Sequence, residues 1–291
     1  MALTLEAPTE SKPSKTTLRT LRQWVKLGEQ FAMLTCYDAT TAGWLWRGGV
    51  RCLLVGDTAA QMILGHDTTL PAPLNFMLEI TAAVRRGAPD AFVMADMPFG
   101  SYQCGQDEAV ANAIAFLKNA GADAVKLEVD AAHAALVQRL AMAGVPVVAH
   151  LGSRPQQVRA QGGYRAAGRT AEEAAEIADA AELLIHQGAS MLLLEAIPNE
   201  VAHQVVKRAT APGGPVVPVI GCGAGHACHG HVVVLQDVLG LSSWHPPFAP
   251  SLANLGEQTQ RAAEQWVKLV RSGKYLKTDH RYTMRDGDES T

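Results

Sequence analysis

Residues 121–152 read GADAVKLEVDAAHAALVQRLAMAGVPVVAHLG. After Gly121 comes a short apolar run, Ala124–Leu127, then an Ala-rich and helix-permissive stretch, Ala131–Ala143. Gly144 stands where such a helix should stop, and a second apolar run follows at Val145–Ala149. The two runs are too short for helices. They are continuous rather than alternating, as strands covered on both faces should be. A strand, a helix ended by glycine and a second strand form one β/α unit of a parallel sheet.

The same rhythm continues in both directions. Apolar runs recur at Phe31–Cys36, Cys52–Val55, Ala91–Ala95, Met191–Leu194, Val216–Ile220 and His231–Leu235, which with the two above make eight. Helix-permissive stretches lie between most of them, at Ala39–Gly48, Leu74–Gly87, Asp107–Ala120, Ala171–Gln187 and Asn199–Ala209. Thr170 followed by Glu172 and Glu173 is a helix start with a cap and acids in its first turn. Eight repeats predict an α/β fold, a (β/α)8 TIM barrel. The competing fold, a doubly wound open sheet, usually has fewer strands.

Two segments break the pattern. Residues 153–169 form a Gly/Arg-rich loop after the fifth strand, and residues 242–251, with three prolines, exclude a helix. Residues 254–272 read as a last helix. The expected organisation is a mobile tail at 1–16, one barrel domain at 17–273 and a charged tail at 274–291.

Composition agrees with a large core. The chain has 291 residues, 48% hydrophobic and 18% charged, with a formal net charge of −3. A barrel of this kind typically takes about 250 residues. No basic stripe points to nucleic acid. No apolar run approaches the roughly 20 residues of a membrane helix, and the N-terminus lacks a signal peptide's apolar segment. The five cysteines are odd in number and without framework spacing, so reduced thiols in a cytoplasmic enzyme are expected.

The chemistry-bearing residues stand at the strand ends. Asp57, Asp96, Glu128 and Glu195 follow the second, third, fourth and sixth apolar runs; Lys126 lies in the fourth and His150 follows the fifth. In a barrel these positions meet at the C-terminal mouth. Crowded carboxylates raise each other's pKa unless a cation offsets them, and oxygen ligands favour a hard ion such as Mg²⁺. The plainer alternative is that strand-end acids cap helices or pair with arginine.

The wording of these segments resembles one family. VGDTAAQMILGHDTTLP (55–71), AAVRRGAP (82–89), ADMPFGSY (95–102), GADAVKLE (121–128), VPVVAHLG (145–152), GGY (162–164), LEAIP (194–198) and IGCGAG (220–225) are similar in order and spacing to ketopantoate hydroxymethyltransferases. The resemblance spans about residues 17 to 273. It implies a barrel of the phosphoenolpyruvate/pyruvate superfamily. It also implies transfer of a hydroxymethyl group from 5,10-methylenetetrahydrofolate to 3-methyl-2-oxobutanoate, and a large homo-oligomer such as a decamer. By the same resemblance Asp57, Asp96 and Glu128 bear on Mg²⁺. Asp57, Thr58, Asp96 and Lys126 contact the 2-oxo acid, Glu195 accepts a proton, and His150 lies close to the reacting centre. The rivals are a lyase or mutase of the same superfamily that needs no folate, and an inactive barrel with a binding role.

The chain departs from the family pattern in places. Thr58-Ala59-Ala60 stands for Ser-Leu-Gly, Val129-Asp130 for Gly-Gly, and Pro247-Phe248-Ala249-Pro250 for a Lys-Phe segment. Cys222, His226, Cys228, His229 and His231 crowd one Gly-rich stretch without the spacing of a zinc finger. A loop with incidental histidines is the simpler expectation there.

Overall fold

A computed structural model describes residues 14–275. Residues 1–13 and 276–291, where most of the two expected tails fall, lie outside the described residues. The described end of the first tail is tied down: Thr16 is buried, its backbone N–H donates to Asp90 O at 2.8 Å, and Lys15 pairs with Asp123 at 3.1 Å.

Eight parallel strands close into a barrel in sequence order. They are β1 Phe31–Thr35, β2 Cys52–Val55, β3 Phe92–Asp96, β4 Ala124–Glu128, β5 Val147–Gly152, β6 Met191–Glu195, β7 Val219–Cys222 and β8 Gly230–Val233. The helices are α1 Leu18–Leu27, α2 Ala39–Arg47, α3 Ala59–Met62, α4 Leu74–Gly87, α5 Gln106–Lys118, α6 Ala134–Met142, α7 Val158–Gln161, α8 Ala171–His186, α9 Asn199–Ala209, α10 Leu235–Val238 and α11 Leu255–Arg271. The chain divides into two compact units, one to Leu235 and one from Gln236. The first holds every strand. The second holds α11, and its residues 242–251 form no helix. The expectation had drawn one domain over residues 17–273.

The period-two pleat sorts each strand into two faces. One set, including Phe92, Met94, Ala124, Val148, Met191 and Leu193, fills the barrel interior. The alternate set, including Val93, Ala95, Val125, Leu127, Ala149, Leu192 and Leu194, packs with the helices. Burying such a side chain stabilises the fold by about 1.5–3 kcal/mol. Continuing the inward set toward the strand C-termini gives Asp96, Lys126, Glu128, His150 and Glu195. The interior therefore changes from apolar to charged near its top. α1 packs Leu21 against the interior cluster. The sequence reading passed over this helix; it starts at a Thr17–Thr20 capping box.

Several boundaries moved for identifiable reasons. β5 starts at Val147 and β7 at Val219, each just after a proline that has no N–H for the ladder. Pro146 O and Pro218 O still accept bonds, from Val125 N and Leu192 N. Asp96, Glu128, His150 and Glu195 lie inside their strands, because ladder bonds such as Met97 N–H to Lys126 O (3.0 Å) continue past them. The expected loop at 153–169 contains a 3₁₀ turn, Pro155–Gln157, followed by α7. Among the described residues no helix is long and apolar enough to cross a membrane.

Candidate active site

The register places the charged residues side by side: Asp96 pairs with Lys126, Glu128 with His150, and Gly152 with Glu195. Gly152 has φ +99° and a Cβ there would lie 2.3 Å from Glu195 O, so only glycine lets β5 approach β6 at this level. Gly56 is constrained by space, since a Cβ would meet Thr58 Oγ1 at 2.8 Å.

A buried polar chain crosses the mouth. Asp57 N–H donates to Asp96 Oδ2 at 3.0 Å, and Asp96 Oδ1 lies 2.9 Å from Lys126 Nζ. Lys126 Nζ is 3.2 Å from His150 Nδ1, and His150 Nε2 is 3.4 Å from Glu195 Oε2. Asp57, Asp96, Lys126, Glu128 and His150 are all buried, whereas the Glu195 side chain is 25% exposed and opens to solvent. Thr58 Oγ1 shares a 2.7 Å hydrogen bond with the Tyr37 hydroxyl.

The charges fix the protonation pattern. Burial alone would lower the Lys126 pKa, but Asp96, Asp57 and Glu128 outweigh it and hold the ammonium. Burial and that ammonium push His150 down. His150 is then neutral, its Nδ1 accepts from Lys126, and its proton sits on Nε2, facing Glu195. Burial and Asp57 push Glu128 up to about 9. Burial and Asp96 raise Asp57. Tyr164, exposed in the loop after β5, has its hydroxyl raised by partial desolvation and then by Asp57, Glu195 and Glu128, which places it in the field of the mouth.

Such a mouth is short of positive charge, because one ammonium faces three buried carboxylates. A hard divalent cation is the matching partner. Asp96 Oδ1 fits this, being buried with no directed hydrogen bond despite its ion pair with Lys126. Among the described residues, however, no three His, Cys, Asp or Glu side chains converge to hold a metal. Of the predicted trio, Glu128 accepts from Gln156 N–H on both its oxygens at 3.0 Å. Mg²⁺ is commonly held by one or two carboxylates, with waters and substrate completing its shell, so a mouth without three converging side chains still fits it.

All seven predicted site residues lie at one end of the barrel. Tyr37, Tyr102, Gln156 and Ala196 were missed. Val129-Asp130 is explained: Val129 is buried in the outer core, and Asp130 caps the turn at Ala131 and pairs with Arg154 at 2.5 Å. Burial opposes ionisation of Asp130, but Arg154 and His133 hold its pKa below the ordinary value. In the Cys/His stretch, burial pushes the Cys228 thiol up to about 12. His229 Nδ1 accepts from Val219 N–H at 3.0 Å, and Asn199 Oδ1 accepts from His226 N–H at 2.9 Å. These bonds shape a loop.

Comparison with known proteins fits this geometry. The fold is that of phosphoenolpyruvate mutase/isocitrate lyase barrels. A 2,3-dimethylmalate lyase of that superfamily superposes with TM-score 0.58 at 18% identity, covering 93% of this chain and 91% of its own. A phosphonopyruvate hydrolase solved with oxalate and Mg²⁺ gives 0.57 at 12% identity, with 92% of each chain covered. The family profile described as ketopantoate hydroxymethyltransferase matches residues 15–278. The 3-methyl-2-oxobutanoate hydroxymethyltransferase of Syntrophus aciditrophicus is 40% identical over 275 residues, 94% of this chain and 99% of its own. That of Mycobacterium ulcerans is 40% identical over 277 residues, 94% and 91% of the two chains. The chain belongs to the ketopantoate hydroxymethyltransferase family and is an enzyme of the hydroxymethyl-transferring class.

Proposed function

We propose that the protein transfers a hydroxymethyl group from 5,10-methylenetetrahydrofolate to 3-methyl-2-oxobutanoate, giving ketopantoate, with Mg²⁺ as cofactor. The observation that carries this reading is the buried chain Asp96–Lys126–His150–Glu195, ending at the one carboxylate of the group that opens to the mouth. Asp57 and Asp96 would hold Mg²⁺, with Glu128 adding charge; when bound, the ion supplies a Lewis acid for the oxo group of the substrate. Lys126 supplies positive charge for the substrate carboxylate, and Thr58, oriented by Tyr37, supplies a hydroxyl.

Glu195 takes the C3 proton of the oxo acid. His150 Nε2 faces the Glu195 carboxylate at 3.4 Å without a directed hydrogen bond, so the imidazole positions it by contact. The carbon so freed attacks the methylene carbon of the folate: the new C–C bond forms as one of that carbon's two C–N bonds breaks, and a water then supplies the hydroxyl as the second C–N bond breaks, releasing tetrahydrofolate. Exposed Met62, Ile63, Phe99 and Tyr164, on segments that follow β2, β3 and β5, offer an apolar rim to a flat co-substrate. The loop after β5 keeps bulk water from the C3 carbanion while leaving room for the one water that the product hydroxyl requires.

We place the enzyme in the cytoplasm as a homo-oligomer. The exposed Trp266, Val267 and Val270 of α11 support self-association. The test of function is incubation with Mg²⁺, 3-methyl-2-oxobutanoate and methylenetetrahydrofolate. Ketopantoate is the expected product. Deuterium exchange at C3 without product would shift the reading to a folate-independent lyase or mutase. Absence of both product and exchange would overturn it.

A further inference from the structure

Gln156 makes more bonds into the mouth than any of the predicted residues. It is 6% exposed. Its Nε2 donates to Asp57 Oδ2 at 2.9 Å and to Met97 O at 3.0 Å. Its Oε1 accepts from the Tyr102 hydroxyl at 2.7 Å. Its backbone N–H donates to both oxygens of Glu128 at 3.0 Å. The amide orientation is unambiguous, because a flip would turn Oε1 toward a carboxylate and a carbonyl. The next residue behaves differently: Gln157 is only half-buried, and its Oε1 accepts from Gln161 Nε2 at 3.4 Å.

A buried amide costs stability unless its polar atoms are paired, and here all partners but the exposed Gln103, whose Nε2 donates to Oε1 at 3.4 Å, belong to the barrel mouth. One residue, carried by the turn Pro155–Gln157, thereby joins the ends of β2 and β4 to the segment after β3. It takes one oxygen of Asp57, Oδ2, while its main chain takes Glu128.

We infer that Gln156 is the positioning residue of the carboxylate face, orienting Asp57 and Glu128 so that a divalent cation and a 2-oxo acid can be received. The inference rests on the reading of that face as a cation site. Residues that orient metal-binding groups change metal affinity by about 10–100-fold when removed, and the same loss is expected here.

The experiment measures Mn²⁺ binding by electron paramagnetic resonance and calorimetry in the full-length protein, wild type beside Gln156→Met and Gln156→Ala. The methionine keeps the length of the side chain and removes its hydrogen bonds. The expected result is Mn²⁺ affinity at least about tenfold weaker in Gln156→Met, with KM for the oxo acid raised more than kcat is lowered. Gln156→Glu is not expected to restore affinity, since it places a carboxylate against Asp57. Unchanged affinity and KM beside a lower melting temperature would show a purely structural residue and overturn the inference. If wild type itself binds no Mn²⁺, the cation reading falls first. If Gln156→Met does not fold, Tyr102→Phe, which removes the O–H shared between Gln156 Oε1 at 2.7 Å and the Glu128 main-chain O at 3.3 Å and leaves both carboxylates in place, is measured instead; a severalfold loss supports the inference and none overturns it.

Discussion

Lys126 Nζ stands 3.2 Å from His150 Nδ1, so a buried ammonium donates to a buried imidazole. The contact settles the tautomer: Nδ1 must be the acceptor, and the His150 proton lies on Nε2, 3.4 Å from Glu195 Oε2. ¹⁵N chemical shifts of the His150 ring are expected to show a neutral, Nε2-protonated imidazole at neutral pH, consistent with a pKa lowered by burial and by Lys126. A charged ring in that range would contradict the arrangement.

Replacing Lys126 by Met leaves Asp96 buried without its cation. Breaking one side of such a pair costs about 3–5 kcal/mol. The loss should be smaller in acid, where the carboxylates can take up protons in place of the ammonium. Thermal melts of Lys126→Met at about pH 5 and about pH 8 check this; equal destabilisation at both would show that the pair contributes through packing rather than charge.

Glu195→Gln separates binding from proton transfer. The amide keeps the shape of the side chain and lacks a basic oxygen. Mn²⁺ binding is expected to stay within about twofold, since Asp57 and Asp96 are untouched, while C3 deuterium exchange falls by at least about 10²-fold, the usual worth of a positioned base. Retained exchange would assign the base elsewhere.

The acid–base character of Glu128 makes stability depend on pH and metal together. Its carboxyl is pushed from the ordinary 4.5 to about 9, by burial and then by Asp57. Between those values the folded chain holds a proton that the unfolded chain has released. This contribution is fully present below the unfolded pKa and is lost as pH rises through the folded one. Metal-free protein should therefore melt at falling temperatures from weakly acidic to alkaline pH. Mg²⁺ should raise the melting temperature more at about pH 8.5 than at about pH 5.5, because protons compete with the cation at the lower pH. Differential scanning calorimetry with and without EDTA measures both effects.

The sequence carried the barrel and most of its mouth because both obey short-range rules. An acid that ends an apolar run, as at Asp96 or Glu128, stands out, and eight β/α units leave few topologies. What stayed hidden depends on contacts distant in sequence. Gln156 cannot be told from Gln157 by sequence, since the partner that distinguishes it, Asp57, is 99 residues away. Tyr37 reads as an ordinary aromatic after a strand until Thr58 is seen 2.7 Å away. The strand starts at Val147 and Val219 were legible in principle, because Pro146 and Pro218 announce them.

Ala196, directly after Glu195, has φ +48°, the only non-glycine in the left-handed region among the described residues. A side chain there costs about 1–2 kcal/mol, and strain of this kind is held where a site needs a fixed backbone. The bonds that hold it are Ala196 N–H to Cys222 O at 2.9 Å and Ala167 N–H to Ala196 O at 3.0 Å. Ala196→Gly removes the strain but adds freedom to the unfolded chain worth roughly 0.5–1 kcal/mol. The net expectation is a melting temperature unchanged or raised by about 1–3 °C, with kcat lowered severalfold as the peptide behind Glu195 loosens. Ala196→Val, β-branched at positive φ, should lower the melting temperature instead. A glycine variant that is both less stable and fully active would show that the strain has no part in fixing Glu195.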